Sequence, residues 1–206
     1  MQLIRKYFPD LERVQVGQFE KLLEILPSLN KKVNVISRKD VDFLEERHIL
    51  HSLSIGMKFR FRNKTSVIDV GTGGGFPGIP LAILYPETRF LLVDSIGKKI
   101  RLVQEISETL KLQNVTVLQE RMEKLNATAD FVISRAVTAF PVLYNWTHHL
   151  IKPGDGYRMA NGLISLKGGD LDEELGAFKS KVELYPISAW FDESFFYTKM
   201  IVYLKK

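Results

Sequence analysis

The chain has 206 residues, 45% hydrophobic and 26% charged, as expected of one soluble globular domain with a small appendage. Cysteine is absent, which excludes disulfides, thiolate zinc sites, iron–sulfur clusters and a cysteine nucleophile. No apolar run approaches the roughly 20 residues that cross a bilayer, and charges interrupt the opening MQLIRKYFPDLERV, so a cytoplasmic location is expected, with no membrane partner. Lys and Arg outnumber Asp and Glu by 29 to 24, a net charge of +5 that suggests a polyanionic partner such as nucleic acid. The positive residues cluster at Lys31, Lys32, Arg38 and Lys39, at Lys58, Arg60, Arg62 and Lys64, and at Lys98, Lys99 and Arg101.

In chain order, Val14, Phe19, Leu22, Leu23, Ile25 and Leu26 recur at helical spacing and predict a helix over Leu11–Leu29, with Pro27 and Asn30 marking where it fails. A second helix is expected from Asp40, a good N-cap, through Phe43, Leu44, Ile49 and Leu53. Residues 1–64 therefore read as a helical N-terminal cap. Beyond Lys64 the pattern changes to short β-branched runs, SVIDV, RFLLVD, NVTVLQ, ADFVIS and NGLISLK, separated by helical stretches. That alternation specifies βαβ units and a parallel sheet, and KVELYPI with FFYTKMIVYLKK predicts a closing antiparallel hairpin. The expected fold is α/β, a doubly wound, mostly parallel sheet over residues 65–206, joined to the cap as one compact unit.

The stretch DVGTGGGFPG, Asp69 to Gly78, follows the first strand, at the turn where a doubly wound sheet lets its backbone approach a ligand. From Gly73 the glycines spell the dinucleotide pattern through Gly75 and Gly78. From Asp69 they spell D-x-G-x-G-x-G through Gly71, Gly73 and Gly75, the pattern expected for S-adenosylmethionine. A carboxylate would repel a pyrophosphate and favour a ligand carrying an ammonium and a sulfonium, so Asp69 tips the balance to the methyl donor. Asp94 at the tip of the second strand can accept hydrogen bonds from ribose hydroxyls or cap the next helix. Backbone amides of Met122 and Glu123 could reach an adenine edge, and Ser134 and Arg135 end the fourth strand where cofactor and substrate should meet.

Other candidates are weaker. His48 and His51 share a helical face but lack the carboxylates or cysteines of a metal set, so no metal site is expected. Arg47 and His48 read as RNA-facing or cap-to-sheet contacts. His148 and His149 fit a helix C-terminus, and Phe140, Tyr144 and Trp146 could stack on a base or pack in the core.

Together RHILHSL, DVGTGGGFPGIPLA, VDSIGKKIRLV, ERMEKL, SRA and LKGG resemble the glucose-inhibited division protein B family, bacterial small-subunit 16S rRNA guanine-N7 methyltransferases, over about residues 34–169. The resemblance implies a class I S-adenosylmethionine-dependent methyltransferase fold, S-adenosylmethionine as donor, and small-subunit ribosomal RNA or the ribosomal particle as partner. It implies donor contacts from Gly71, Phe76, Asp94, Met122, Glu123 and Arg135; the motif adds Gly73 and Gly75 to the expected donor site, and Arg47, His48, Arg135 and Lys167 are expected at the substrate. No catalytic acid or base is expected, because guanine N7 presents a free lone pair. Two positions depart from the family pattern: His51 stands where many members carry aspartate, and Gly74 adds flexibility without evident gain. A nicotinamide-dependent oxidoreductase and a non-catalytic RNA-binding assembly factor are the competing readings.

Overall fold

A computed structural model describes residues 1–37, 39–156 and 159–206; Arg38 of the first basic cluster lies outside them. The chain opens with α1 (Gln2–Tyr7) and α2 (Arg13–Val33), passes through a 3-10 turn (Val41–Phe43) and a π-helical segment (Leu44–Leu50), and continues as α3 (His51–Lys58). Next come β1 (Ser66–Val70), α4 (Gly78–Leu84), β2 (Arg89–Asp94), α5 (Gly97–Thr109), β3 (Val115–Gln119), β4 (Phe131–Arg135) and α6 (Phe140–Thr147). A two-stranded ribbon of β5 (Asp155–Gly156) and β6 (Met159–Ala160) precedes β7 (Gly162–Gly168), α7 (Asp172–Leu175), β8 (Val182–Pro186) and β9 (Lys199–Lys205).

The main sheet has the order β3-β2-β1-β4-β7-β9-β8. The first five strands are parallel neighbours, and β9 runs antiparallel to both β7 and β8. The expected hairpin is thus present, and its second strand is inserted between β7 and β8. Central strands β1 and β4 are buried almost throughout, as strands covered on both faces must be, whereas edge strand β3 is mostly open. Phe19, Leu22 and Leu26 of α2 and Leu53 of α3 share one core with Ile79 and Leu81 of α4 and Val103 and Ile106 of α5. Among the described residues, no helix is long and apolar enough to cross a membrane.

Two helix expectations need correction. The first helix runs four residues past Leu29 and accommodates Pro27. It ends only where Asn34 adopts a left-handed conformation (φ 56°) and donates its N–H to the Asn30 carbonyl. The Asn30 side chain, rather than breaking the helix, donates to the Ile36 carbonyl and accepts from its N–H, both at 2.8 Å. The second helix is not one continuous α-helix from Asp40. The Asp40 carboxylate, instead of capping the backbone, binds Ser37 and Arg47, and the chain winds as a 3-10 turn and then a π-helix before α3. Such π-segments are rare and concentrate at functional sites.

Candidate active site

The chain leaves β1, builds β2 and β3 on one side, and crosses back to β4 on the other. The carboxyl ends of β1 and β4 thereby border the crevice at which doubly wound sheets bind ligands. There the glycine loop is fixed largely by its own backbone. Thr72 N–H donates to the Val93 carbonyl (3.0 Å), and the Gly75 and Phe76 N–H groups both donate to the Thr72 carbonyl (2.9 Å). Gly71 sits at φ +65°, and a Cβ there would lie 2.5 Å from Val137, so this position needs glycine both for conformation and for space. Gly74 does have a clear use, contrary to expectation: its missing Cβ makes room for Val35, which would otherwise be 2.8 Å away, so the segment after α2 packs directly on the loop.

Asp69 lies beneath the loop and is fully buried, which corrects its expected place beside the ligand. One carboxylate oxygen accepts from the Thr72 hydroxyl (2.7 Å) and from the Gly78 N–H at the start of α4 (2.9 Å); the other is buried with no protein partner among the described residues. Burial, partly offset by those two hydrogen bonds, pushes its pKa up to about 7. Asp94 is not the N-cap of α5, which is Ile96, but holds the turn that leads into it. It accepts from Gly73 N–H (3.1 Å) and Ile96 N–H (2.9 Å), fixing the start of α5, and it faces the cavity beside the loop.

That cavity, about 300 Å³, is lined by Gly71, Asp94, Met122 and Glu123 as expected, and also by Val93, Ile96, Lys99, Glu120, Val137 and Trp146. The last six were not foreseen at this cavity. Lys99 was visible only as part of a basic cluster, and Trp146 only as a possible stacking residue, because α6 reaches the cavity through tertiary packing. Phe140 is instead core, and Tyr144 stacks on His148.

Gly73, Gly75, Phe76 and Arg135 do not line the cavity. Phe76 and Arg135 form a second cluster with the π-segment. The Arg135 guanidinium carbon lies 4.8 Å from the centre of the Phe76 ring, and its N–H groups donate to the Arg47 carbonyl (3.3 Å) and the His48 carbonyl (3.4 Å). Another contact, to His48 Nδ1, is 3.0 Å. A guanidinium only donates, so Nδ1 accepts and the imidazole proton resides on Nε2, which is buried without a protein partner among the described residues. Burial, aided by the Arg135 charge, pulls the His48 pKa down to about 3, so the ring is neutral. Burial also lowers Arg135, to about 10, which leaves it charged at neutral pH. His51 is buried against the edges of Phe195 and Phe196 and is held neutral by desolvation.

Lys167 braces this region from behind. Its ammonium donates to the Thr138 carbonyl (2.6 Å) and pairs with Glu174 (2.7 Å), which also accepts the Phe140 N–H, so the loop after β4 is tied to β7 and α7. Among the described residues, no group of three or more His, Asp or Glu side chains could hold a metal ion.

The family model for GidB, rRNA small subunit methyltransferase G, matches residues 15–191. The ribosomal RNA small subunit methyltransferase G of Christiangramia forsetii is 49% identical over 99% of this chain and 96% of its own length. That of Bacteroides fragilis is 50% identical over 99% of both chains. At the level of fold alone, the crystal structure of a SAM-dependent methyltransferase from Aquifex aeolicus superposes with a TM-score of 0.55 at 15% identity, covering 82% of this chain and 98% of that one. With matches spanning nearly its whole length, the chain belongs to the rRNA small subunit methyltransferase G family.

Proposed function

We propose that this chain transfers a methyl group from S-adenosylmethionine to N7 of a guanine in the 16S ribosomal RNA of the small subunit, acting in the bacterial cytoplasm. The observation that carries the donor assignment is the position of Asp69. Its carboxylate already takes the Gly78 N–H at the start of α4, the donor that a pyrophosphate would use. Asp94, Glu120 and Glu123 line the wall together with Lys99, which pairs with Asp94, and Arg121, which pairs with Glu123, so carboxylates outnumber cations by one, a balance that suits a cationic ligand better than a dinucleotide phosphate.

The residues present fit S-adenosylmethionine, which supplies an activated methyl group on a sulfonium. Gly71 lets the backbone approach it; Asp94 suits the ribose, Met122 and Glu123 the adenine edge, and Gly73 and Gly75 shape the turn. Phe76 and Arg135 close the side toward the acceptor. Guanine N7 has an in-plane lone pair, so no residue has to remove a proton. The protein's task is to hold the acceptor in line with the methyl group, worth about 7–11 kcal/mol when alignment is good. Arg135, fixed by three contacts to Arg47 and His48 of the π-segment, with Lys167 tying down the loop after β4, forms the rigid wall against which that alignment is made. Residues 1–64 act as a cap and residues 65–206 as the methyltransferase domain, one working unit supported by their shared core.

The test is transfer of labelled methyl from S-adenosylmethionine to small-subunit particles lacking the modification, followed by mapping of the modified base. One labelled guanine at N7 is the expected result. Label on another base, or a melting-temperature rise with NAD and none with S-adenosylhomocysteine, would overturn the reading.

A further inference from the structure

Beyond the donor cavity and the Arg135 cluster, a second group of side chains lies where the cap meets the turn before β9. The Arg47 guanidinium carbon sits 3.9 Å from the centre of the Phe43 ring and 5.6 Å from that of Phe195. Asp40 pairs with Arg47 at 2.7 Å. Lys199 stands over Phe195 at 4.8 Å, and among the described residues no carboxylate lies within 4.0 Å of its ammonium. Gly168 of the LKGG stretch makes room for that ammonium; a Cβ there would be 2.7 Å from it.

Two features distinguish this patch from an internal clamp. Arg47 covers one face of Phe43, yet the residue stays 42% exposed, and Tyr197, in the same Ser194–Thr198 turn as Phe195, is 68% exposed. They are the two exposed aromatic residues among those described. The patch is also continuous with the reaction site, because the Arg47 carbonyl accepts from Arg135, whose neighbours Ala136 and Val137 line the donor cavity. An exposed ring, Phe43, joined through Arg47 and Phe195 to a cation without a carboxylate partner offers the two elements with which proteins hold single-stranded nucleic acid, stacking and phosphate pairing.

Resting on the reading of an RNA acceptor, we propose that this patch holds the unpaired RNA next to the target guanine: a base stacks on the open face of Phe43, and a phosphate pairs with Lys199. The track from Phe43 past Arg47 to Arg135 then sets which nucleotide reaches the methyl group.

The experiment compares the full-length protein with Phe43→Leu, Lys199→Gln and Lys199→Arg. It measures binding to unmodified small-subunit particles across a salt series, KM and kcat for methyl transfer, and S-adenosylhomocysteine affinity by titration calorimetry. Lys199→Gln is expected to flatten the logarithmic salt slope by about one, and Lys199→Arg to restore it. Phe43→Leu should weaken particle binding by roughly 5- to 150-fold with the salt slope unchanged. Both should raise KM while product affinity stays within about twofold. Wild-type particle binding and salt slope in both variants, with only a lowered melting temperature, would reduce the patch to a clamp between cap and sheet and overturn the proposal. If the wild-type protein transfers no methyl group but the variants still lose particle binding, the RNA surface stands and the assigned reaction falls. Failure of the wild-type protein to bind particles overturns both.

Discussion

The two halves of the crevice are built in opposite ways. On the donor side, apart from Trp146 of α6, the wall segments are strand tips and the few residues after them, and backbone hydrogen bonds or Asp69 and Asp94 hold the loop. On the acceptor side, Arg135 finds its partners 87 and 88 positions earlier in the chain, in a π-helix, and Arg47 meets a ring from the turn before the last strand. A donor site can be specified by one short motif because its ligand is small and common to many enzymes. An acceptor site must be assembled from distant pieces because it is particular to one RNA.

This contrast can be broken most sharply at Gly73. Its φ of +60° disfavours any side chain, and its N–H is spent on Asp94, so Gly73→Asp adds strain and a second carboxylate at once. Isothermal titration should find S-adenosylmethionine affinity reduced by at least about 100-fold. Unchanged affinity would mean that the loop does not bind the donor.

On the acceptor side, Arg135→Lys replaces a fork that meets two carbonyls and an imidazole with a single ammonium. A fall in kcat of about 10- to 100-fold, with donor affinity within about threefold, is expected from single-turnover and binding measurements. Equal losses of both would dissolve the division into halves.

The pH response should also separate them. Asp69, raised to about 7 in the fold, is protonated over part of the range in which an exposed aspartate is ionised. A cationic ligand favours the ionised form and expels the proton, so donor affinity should rise as pH increases toward 7 and level off above it. The rise should be up to about tenfold per pH unit below 7, and Asp69→Asn should remove it. The same shift makes the ligand-free fold lose stability over pH 4–7, because there the folded state holds the extra proton. His48, neutral down to about pH 3, should contribute no step in this window.

The smallest effect is expected at the seam. Gly74→Ala pushes into Val35 and should lower the melting temperature by about 2–4 °C, with little change in donor affinity. An altered donor affinity would show that the cap also tunes the loop.

The same contrast explains what could be read from the sequence. The strand sequences and the alternation of strands with helices carried the sheet, and the spacing of Asp69, the glycines and Asp94 carried the donor side, because these signals are periodic or local. The π-helix is illegible in the sequence, since ordinary helical periodicity describes LEERHIL equally well and only the i→i+5 backbone bonding distinguishes the wider winding. Phe195 gives no signal in the sequence and Trp146 only that of a residue able to stack or pack: each reaches its partners through packing between elements remote in the chain. Asp69 was recognised for its charge, whereas its observed work is to staple the loop to α4.

The position of β9 has a consequence for biosynthesis. Of all the strands it comes last in the chain, yet it lies between β7 and β8 rather than at the sheet's edge. Chains emerge from the ribosome N-terminus first, so every residue lining the cavity, the last of them Trp146, is made before the strand that joins β7 and β8. The wall formed by Phe195 and Lys199 arrives only with that final insertion. On the proposed RNA contact at Lys199, a nascent chain that has reached only Trp146 still lacks that surface.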